Sequence, residues 1–475
     1  MISDFMRCGV ALVRALVLFP FYFLLFTLFI LWPWRLGAPF FLVRHLAVVK
    51  IAPQAAALRL IQLRLQVRID LLLDMGEGGR PRLTAGRLRG WFATPIRRTI
   101  PQCATLTRRE SERLGESGFL RKLTLFLDSL VDSYKYGNGT VTRHWFDQER
   151  RGSAGFHIPN HYHKWCSCYL LNHRLNPHLR REQRHHHKLD LFELCRTNGW
   201  PTVSVHASFV SGRMSECDPI KGAPLISKPA ASTEGRGHFE RWWPEPDSSG
   251  SSLRYTAEDG TPATVQEVFD HVAGRSSEEP YLLQELIYSH KDIRDLSGGN
   301  TLCTLRLPTC RFPDGRVELL PLGLFRMPTQ KDSVFDNMAQ GGVAYRVNTH
   351  EGCLEAGSIY GSYDTFTAHP TTSKEIVGFS LPYWRETVDL CKTVHGVGFS
   401  SYPTVGWDIA LTDRGPVLLE SNIQWATEHG IPNEGFLGKT AYVDCILSYI
   451  RQLWPGNCPA DARIPMATAN VRVQG

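Results

Sequence analysis

Gly406-Trp407-Asp408-Ile409-Ala410-Leu411-Thr412-Asp413-Arg414-Gly415-Pro416-Val417-Leu418-Leu419-Glu420-Ser421-Asn422 is the stretch on which the reading of the fold turns. Two apolar runs, 407–411 and 417–420, flank the turn residues Asp413-Arg414-Gly415, which predicts a hairpin. Each arm carries a carboxylate, Asp408 or Glu420, and an amide, Asn422, stands two residues beyond the second. Residues two apart on a strand share a face, so Glu420 and Asn422 project together and the hairpin can bring Asp408 beside them. Oxygen donors of this kind suit Mg²⁺, a hard ion that takes carboxylates and phosphate oxygens. By spacing alone, a surface hairpin with solvated acids explains the pattern equally well.

Working upstream, periodicity predicts helices over 120–136 and 189–198, the second stopped by Gly199 and leading through Trp200-Pro201 into a strand over 203–210. A strand over 225–228 ends at Pro229 and opens a polar loop. A second loop is expected over 249–260, then a short helix over 265–273 and a strand over 281–287. Further strands are expected near 301–307, 317–322 and 344–347, and a helix from Pro382 to about Val394. Mixed elements of this kind predict an α+β or α/β enzyme domain without internal repeats.

Two further segments bear on chemistry. Ser227-Lys228-Pro229 precedes Ser232-Thr233-Glu234-Gly235-Arg236-Gly237, a strand-end lysine followed by a hydroxyl- and glycine-containing loop whose amides could cradle phosphate. It is not a P-loop, which needs Gly-Lys-Ser/Thr opening a helix; alone it also reads as a plain surface turn. The strand Tyr281-Leu282-Leu283-Gln284-Glu285-Leu286-Ile287 is apolar except for a polar pair. Placed at a sheet edge, it could offer backbone groups and an apolar wall to a purine, though a purely structural strand fits too.

The N-terminal part has a different character. Residues 15–34 contain no charged side chain, and twenty residues at about 1.5 Å each span the roughly 30 Å hydrocarbon core. Pro20 is tolerable in such a span, and Trp32 and Trp34 suit its interface. The alternative, a cleaved signal peptide, has a shorter apolar run. Before the span stand Asp4, Arg7 and Arg14; after it come Arg35, Arg44, Lys50, Arg59, Arg64 and Arg68 with no acid until Asp70. That bias predicts a single-pass inner-membrane protein with its C-terminal bulk in the cytoplasm, and places the net charge of +7 against a membrane surface instead of a nucleic acid. Residues 61–71 alternate apolar and polar side chains, as a strand would, while 76–107, rich in Gly, Arg and Pro, reads as a loosely packed linker. Twelve cysteines with scattered spacings and no CxxC predict reduced thiols. His157, His161, His163, Cys166, Cys168, His173, His178 and His185-His186-His187 gather zinc-type ligands, but at intervals that fit no known finger. A positively charged or hydrogen-bonding surface near the acceptor site is the expected role.

Taken in order, these segments resemble the ATP-grasp superfamily, and more closely its sugar-transfer-associated family, over residues 172–450. The resemblance is carried by Lys188, Lys228-Pro229, Gln284-Glu285, Asn300-Thr301-Leu302-Cys303-Thr304-Leu305-Arg306, Arg326, Asp336-Asn337 with Gly341-Gly342, His369-Pro370, Gly378-Phe379-Ser380-Leu381-Pro382-Tyr383-Trp384, and Gly406-Trp407-Asp408 with Glu420-Ser421-Asn422. It implies an α+β catalytic domain of two lobes behind the transmembrane segment. The expected layout is a membrane segment at 1–35, a basic linker at 36–150, a His-rich subdomain at 151–224, a small lobe at 225–290, a large lobe with the metal site at 291–455 and a tail at 456–475.

The resemblance also assigns roles. Lys188 would stand at the edge of the ATP cleft and Lys228 would reach the phosphates, Ser232, Thr233, Gly235 and Gly237 would fold over the triphosphate, and Gln284, Glu285 and Leu286 would line the adenine pocket. His290 or Asp292 would lie near the ribose, Arg306 would neutralise the transferred phosphoryl group together with Lys228, and Asp408, Glu420 and Asn422 would hold Mg²⁺. Glu234 and Trp425 depart from the usual pattern, yet remove no lysine or metal ligand. The implied activity is that of a membrane-tethered carboxylate–amine ligase working through an acylphosphate on a cell-envelope saccharide, lipid-linked intermediate or peptide. Its implied partners are the membrane and surface-polysaccharide assembly enzymes. The alternatives are a phosphotransferase on the same fold and an inactive membrane adaptor.

Overall fold

A computed structural model describes residues 100–113, 118–135, 188–216, 218–230, 239–245, 253–330, 336, 341–359, 365–423, 425 and 440–453, together with residues 6, 9 and 12. The apolar span at 15–34, the alternating segment at 61–71, the His-rich stretch up to His187 and the loop residues Ser232, Thr233, Gly235 and Gly237 lie outside the described residues. Among the described residues no helix is long and apolar enough to cross a membrane.

The chain divides into two compact units, one made of Met1–Leu171 with Glu434–Gly475 and the other of Asn172–Asn433. In the first, helices α1 (Ile100–Arg113) and α2 (Phe119–Lys135) pack on each other. The start of α1 falls inside the stretch expected to be a linker. Pro101 sits in its first turn, where a missing N–H costs no hydrogen bond. Cys103, Thr107 and Ser111 then recur every four residues and are buried, as one stripe of a helix should be.

The second unit opens with α3 (Lys188–Asn198) and a seven-stranded antiparallel sheet. Its strands are β1 (Val205–Val210), β2 (Arg213–Glu216), β3 (Leu225–Pro229), β4 (Glu240–Pro244), β5 (Arg254–Ala257), β6 (Pro262–Thr264) and β7 (Tyr281–Glu285), in the order β2-β1-β7-β3-β4-β5-β6. Helix α4 (Val265–Arg275) starts from a capping box in which Thr264 Oγ1 accepts from Glu267 N and Glu267 answers at Thr264 N, worth about 1 kcal/mol. Val268 and Val272 of α4 pack on Phe209, Leu225, Tyr281 and Leu283 on one face of the sheet. Phe192 of α3 packs on Val205 and Leu282 on the other. Strand β5 lies inside 249–260, where a loop was expected. It is held by Tyr255, fully buried, whose hydroxyl donates to Ala223 O at 3.1 Å. One inward side chain on a four-residue strand leaves no period to read.

After the seven-residue α5 (Lys291–Ser297) comes a second antiparallel sheet: β8 (Thr304–Arg311), β9 (Val317–Leu319), β10 (Gly323–Met327), β11 (Val343–Asn348), β12 (Cys353–Ile359), β13 (Thr404–Thr412) and β14 (Gly415–Asn422). The order is β12-β11-β10-β8-β13-β14, with β9 paired to β8. Helix α6 (Trp384–Gly398) turns Thr387, Cys391, Val394 and His395 inward, an i, i+4, i+7, i+8 stripe. That stripe covers the sheet face bearing Leu305, Phe325, Tyr345, Trp407 and Ile409. Inside this core, Trp407 Nε1 donates to Thr309 Oγ1 at 2.8 Å, and His395 meets the same hydroxyl at 2.7 Å and Tyr402 O at 2.9 Å. The segment leading into β1 is tied to β14: Leu418 N donates to Pro201 O and Thr202 Oγ1 donates to Leu418 O, both at 3.0 Å. Every pairing between the named strands is antiparallel, and helices lie on the sheet faces, an α+β architecture. Helix α7 (Ala441–Leu453) belongs to the first unit.

Candidate functional site

Strand β13 is buried over its whole length and alternates between two environments. Trp407, Ile409 and Leu411 enter the α6 core. Asp408 therefore points to the opposite face, where its cross-strand partners are Arg306 on β8 and Glu420 on β14. Thr304 and Arg326 pair one step along the same face. The hairpin read from sequence is present, with Asp413-Arg414 at its turn, Gly415 at φ 112°, and Asn422 opposite Gly406. Its arms are not in simple register. Ile409 pairs with Leu418 but Asp408 pairs with Glu420, so Leu419 is an extra residue, a β-bulge.

Asp408 is buried between two guanidinium groups. Arg306 Nε donates to Oδ1, Arg306 Nη2 to Oδ2 at 2.7 Å, and Arg326 Nη2 lies 3.1 Å from Oδ2. Burial alone would raise the Asp408 carboxyl, but Arg306 and then Arg326 outweigh it and hold it well below the usual carboxylate range. Arg326 Nε donates to Thr304 Oγ1 at 2.9 Å, and the Thr304 hydroxyl donates to Asp336. Asp336 is pushed up by burial, with Arg326 opposing.

From the first sheet's side, Lys188 at the start of α3 reaches Glu420, Nζ to Oε1 at 3.2 Å. Lys228, on β3 beside Leu282, is lowered to about 8, first by burial, then by Lys188, with Glu420 opposing. Lys188, Lys228, Glu420, Asp408 and Arg306, all singled out from sequence, thus form one contiguous charged cluster. Arg326, Asp336 and Thr304 belong to it as well, although no role was read for them. The signal for Arg326 was a lone charge inside the apolar strand Gly323-Leu324-Phe325-Arg326-Met327.

The remaining expected residues lie on β7 and around α5. β7 lies between β1 and β3, not at an edge, so the strand-edge reading is corrected: Glu285 N donates to Ser204 O and Leu286 N to Pro224 O. Gln284 is buried, and Glu285 Oε1 accepts from Arg414 Nη2 at 2.7 Å. His290 caps α5 by accepting from Asp292 N and stands at the hairpin turn, its N donating to Leu411 O. The turn is about five residues, roughly 16 Å, along the hairpin from Asp408. His290 is not brought to the cluster.

Among the described residues no three carboxylate, imidazole or thiolate groups converge to hold a metal. The expected set of Asp408, Glu420 and Asn422 offers two carboxylates and an amide on one face, hard oxygen donors of the class that Mg²⁺ takes. The Asn422 Nδ2 is buried without a hydrogen-bond partner, and half a turn of the amide presents its oxygen instead. The set fits by donor chemistry once Asp408 is released from its arginines.

Comparison with known proteins places residues 262–443 in a match to the family model described as sugar-transfer associated ATP-grasp. Among solved structures the chain is similar to a D-alanine–D-alanine ligase from Bacillus anthracis, at 10% identity and a TM-score of 0.28 over 56% of this chain and 67% of that one. It is similar to an L-amino acid ligase from Bacillus licheniformis at 10% identity and a TM-score of 0.29, over 58% of this chain and 51% of that one. A third is the ATP-grasp ligase PsnB complexed with its minimal precursor, at 14% identity and a TM-score of 0.28, over 64% and 69% of the two chains. The match to the Bacillus licheniformis ligase thus spans about half of that enzyme's length. No curated protein matches the chain.

Proposed function

We infer, from a chain whose residues 262–443 belong to the sugar-transfer associated ATP-grasp family, that this protein is a membrane-tethered, ATP-dependent carboxylate–amine ligase. One observation carries the reading: Lys188 and Lys228 from the first sheet's side converge on Glu420 of the second, beside Arg306, Arg326 and Asp408. Cations in that arrangement suit a triphosphate, and catalysis of phosphoryl transfer is chiefly positioning and neutralisation of charge.

In this reading Lys188 and Lys228 hold phosphoryl oxygens, the loop containing Ser232, Thr233, Gly235 and Gly237 covers them, and Gln284, Glu285 and Leu286 line the base. A carboxylate oxygen of the substrate takes the γ-phosphoryl group as the bond to ADP breaks, and Arg306 with Arg326 offsets the charge on the group in transit. The amine then attacks the acyl carbon; the C–N bond forms, phosphate leaves with the C–O electrons, and the amine proton passes to solvent. Asp408, Glu420 and Asn422 would hold magnesium, which supplies further neutralisation of phosphoryl oxygens. The apolar span at 15–34 would tether the catalytic unit to the cytoplasmic face of the inner membrane. An acceptor within reach there is an envelope saccharide, a lipid-linked intermediate or a peptide, with surface-polysaccharide assembly enzymes as partners.

The test uses the full chain with ATP, Mg²⁺ and membrane extract, adding hydroxylamine as the trapping amine. The expected result is ADP release with a hydroxamate product, both lost in Lys228→Ala and in Asp408→Asn. A stable phosphorylated product without hydroxamate would assign a phosphotransferase instead, and undiminished turnover in both variants would overturn the site.

A further inference from the structure

Both oxygens of Asp408 are engaged, Oδ1 by Arg306 Nε and Oδ2 by Arg306 Nη2 at 2.7 Å and Arg326 Nη2 at 3.1 Å. Around this carboxylate the described residues place Asp408, Asp336 and Glu420 against Arg306, Arg326, Lys188 and Lys228, three negative groups against four positive ones. A bare divalent cation approaching Asp408 meets two guanidinium groups on the oxygens it needs and enters a net-positive, largely buried surrounding, where like charges repel strongly. A polyphosphate meets the opposite situation. Its oxygens accept from guanidinium groups in the same forked geometry as a carboxylate does, and it carries several charges where Asp408 carries one. Arg326 Nε donates at 2.9 Å to Thr304 Oγ1, whose hydroxyl is fixed in turn by Asp336, so its planar guanidinium can swing as a unit about that contact and carry Nη2 from Asp408 to such a ligand.

Resting on the nucleotide reading of this site, we propose that Arg306 and Arg326, with Lys188 and Lys228, form a polyphosphate subsite that fills without metal, and that Asp408 accepts a divalent cation only once that subsite is occupied. Polyphosphate draws the guanidinium groups away from Asp408, and its own charge reverses the sign of the site. Asp336 and Thr304 are positioning residues in this scheme, acting on Asp408 through Arg326.

The experiment uses the full chain in detergent with three probes: inorganic tripolyphosphate in excess EDTA, Mn²⁺ alone, and Mn²⁺ with β,γ-imido-ATP. Calorimetry reads the first, and the amplitude of the free-Mn²⁺ paramagnetic resonance signal reads the others. Tripolyphosphate is expected to bind without metal, Mn²⁺ alone to stay free, and Mn²⁺ to be taken up in the presence of the imido nucleotide beyond what the nucleotide chelates without protein. Arg326→Gln is expected to bind Mn²⁺ alone at least tenfold more tightly than wild type and tripolyphosphate at least tenfold more weakly. If that variant does not fold, the wild-type measurements decide. Mn²⁺ binding to wild type equally well with and without nucleotide, or tripolyphosphate binding only when metal is present, would overturn the proposal. Failure of the imido nucleotide to bind even with Mn²⁺ would overturn the nucleotide reading beneath it.

Discussion

Lys188 Nζ lies 3.2 Å from Glu420 Oε1, so the first turn of α3 is joined by charge to the last strand of the second sheet, and Lys228 lies within the field of both. Burial and Lys188 bring Lys228 down to about 8. The lysine is therefore cationic below that pH and loses its charge as the pH rises through it. Metal-free polyphosphate affinity is expected to level off towards pH 7, to be about half its plateau at pH 8 and about tenfold below the plateau at pH 9. Lys228→Arg, whose guanidinium stays charged, should abolish the fall. Glu420→Gln should move it to lower pH, because Glu420 now favours the charged lysine. Calorimetric titrations between pH 7 and 9.5 measure all three.

Leu419 is the extra residue that β14 carries between Leu418, opposite Ile409, and Glu420, opposite Asp408. With Leu419 deleted, an unbroken ladder still leaves Leu418 in the core and Glu420 facing Asp408. The deletion is expected to preserve nucleotide affinity within a few-fold and to cost roughly 1–2 kcal/mol of stability for one partly buried leucine. Deleting Leu418 instead removes a fully buried core side chain and should prevent stable folding. Affinity and urea midpoints of the two deletions separate the outcomes.

Gly406 faces Asn422, and a Cβ added there would fall 2.7 Å from Trp425 Cβ and 2.9 Å from its Cγ. The indole is buried and its Nε1 donates to Thr404 Oγ1 at 3.3 Å, so it cannot yield cheaply. Gly406→Ala is expected to lower stability by about 1–3 kcal/mol through overpacking, read from urea unfolding followed by tryptophan fluorescence.

His395 is completely buried, and burial holds it at about 4 against an ordinary 6.5. The unfolded chain then binds a proton that the folded one refuses. Stability from this group is complete above about pH 6.5 and is lost as pH falls towards 4, by roughly 3 kcal/mol in all. The urea midpoint should drop between pH 7 and 5 in wild type and drop less in His395→Gln.

What the sequence made legible follows from which interactions are local. The β13–β14 hairpin could be read because its apolar runs and Asp413-Arg414-Gly415 lie within one short stretch. The bulge at Leu419 could not, since alternation alone puts Glu420 on the same face as Leu418. Lys188, Lys228, Arg306, Asp408 and Glu420 were all singled out. The Asp408–Arg326–Thr304–Asp336 chain was not, because it exists only through the pairing of β8 with β10 and β13. β7 was expected at an edge because its composition says nothing of its neighbours, β1 and β3. β5 and α1 were missed because the turn-forming residues around them outweigh a short apolar signal.

Equilibrium binding of β,γ-imido-ATP with Mg²⁺ to the full chain, wild type against Lys228→Ala, bears most directly on whether the two lysines and the Asp408–Glu420 hairpin make one nucleotide site. Loss of one charge-assisted contact to phosphate in a partly buried site should weaken binding by at least about tenfold. Equal affinity in the two proteins would contradict it.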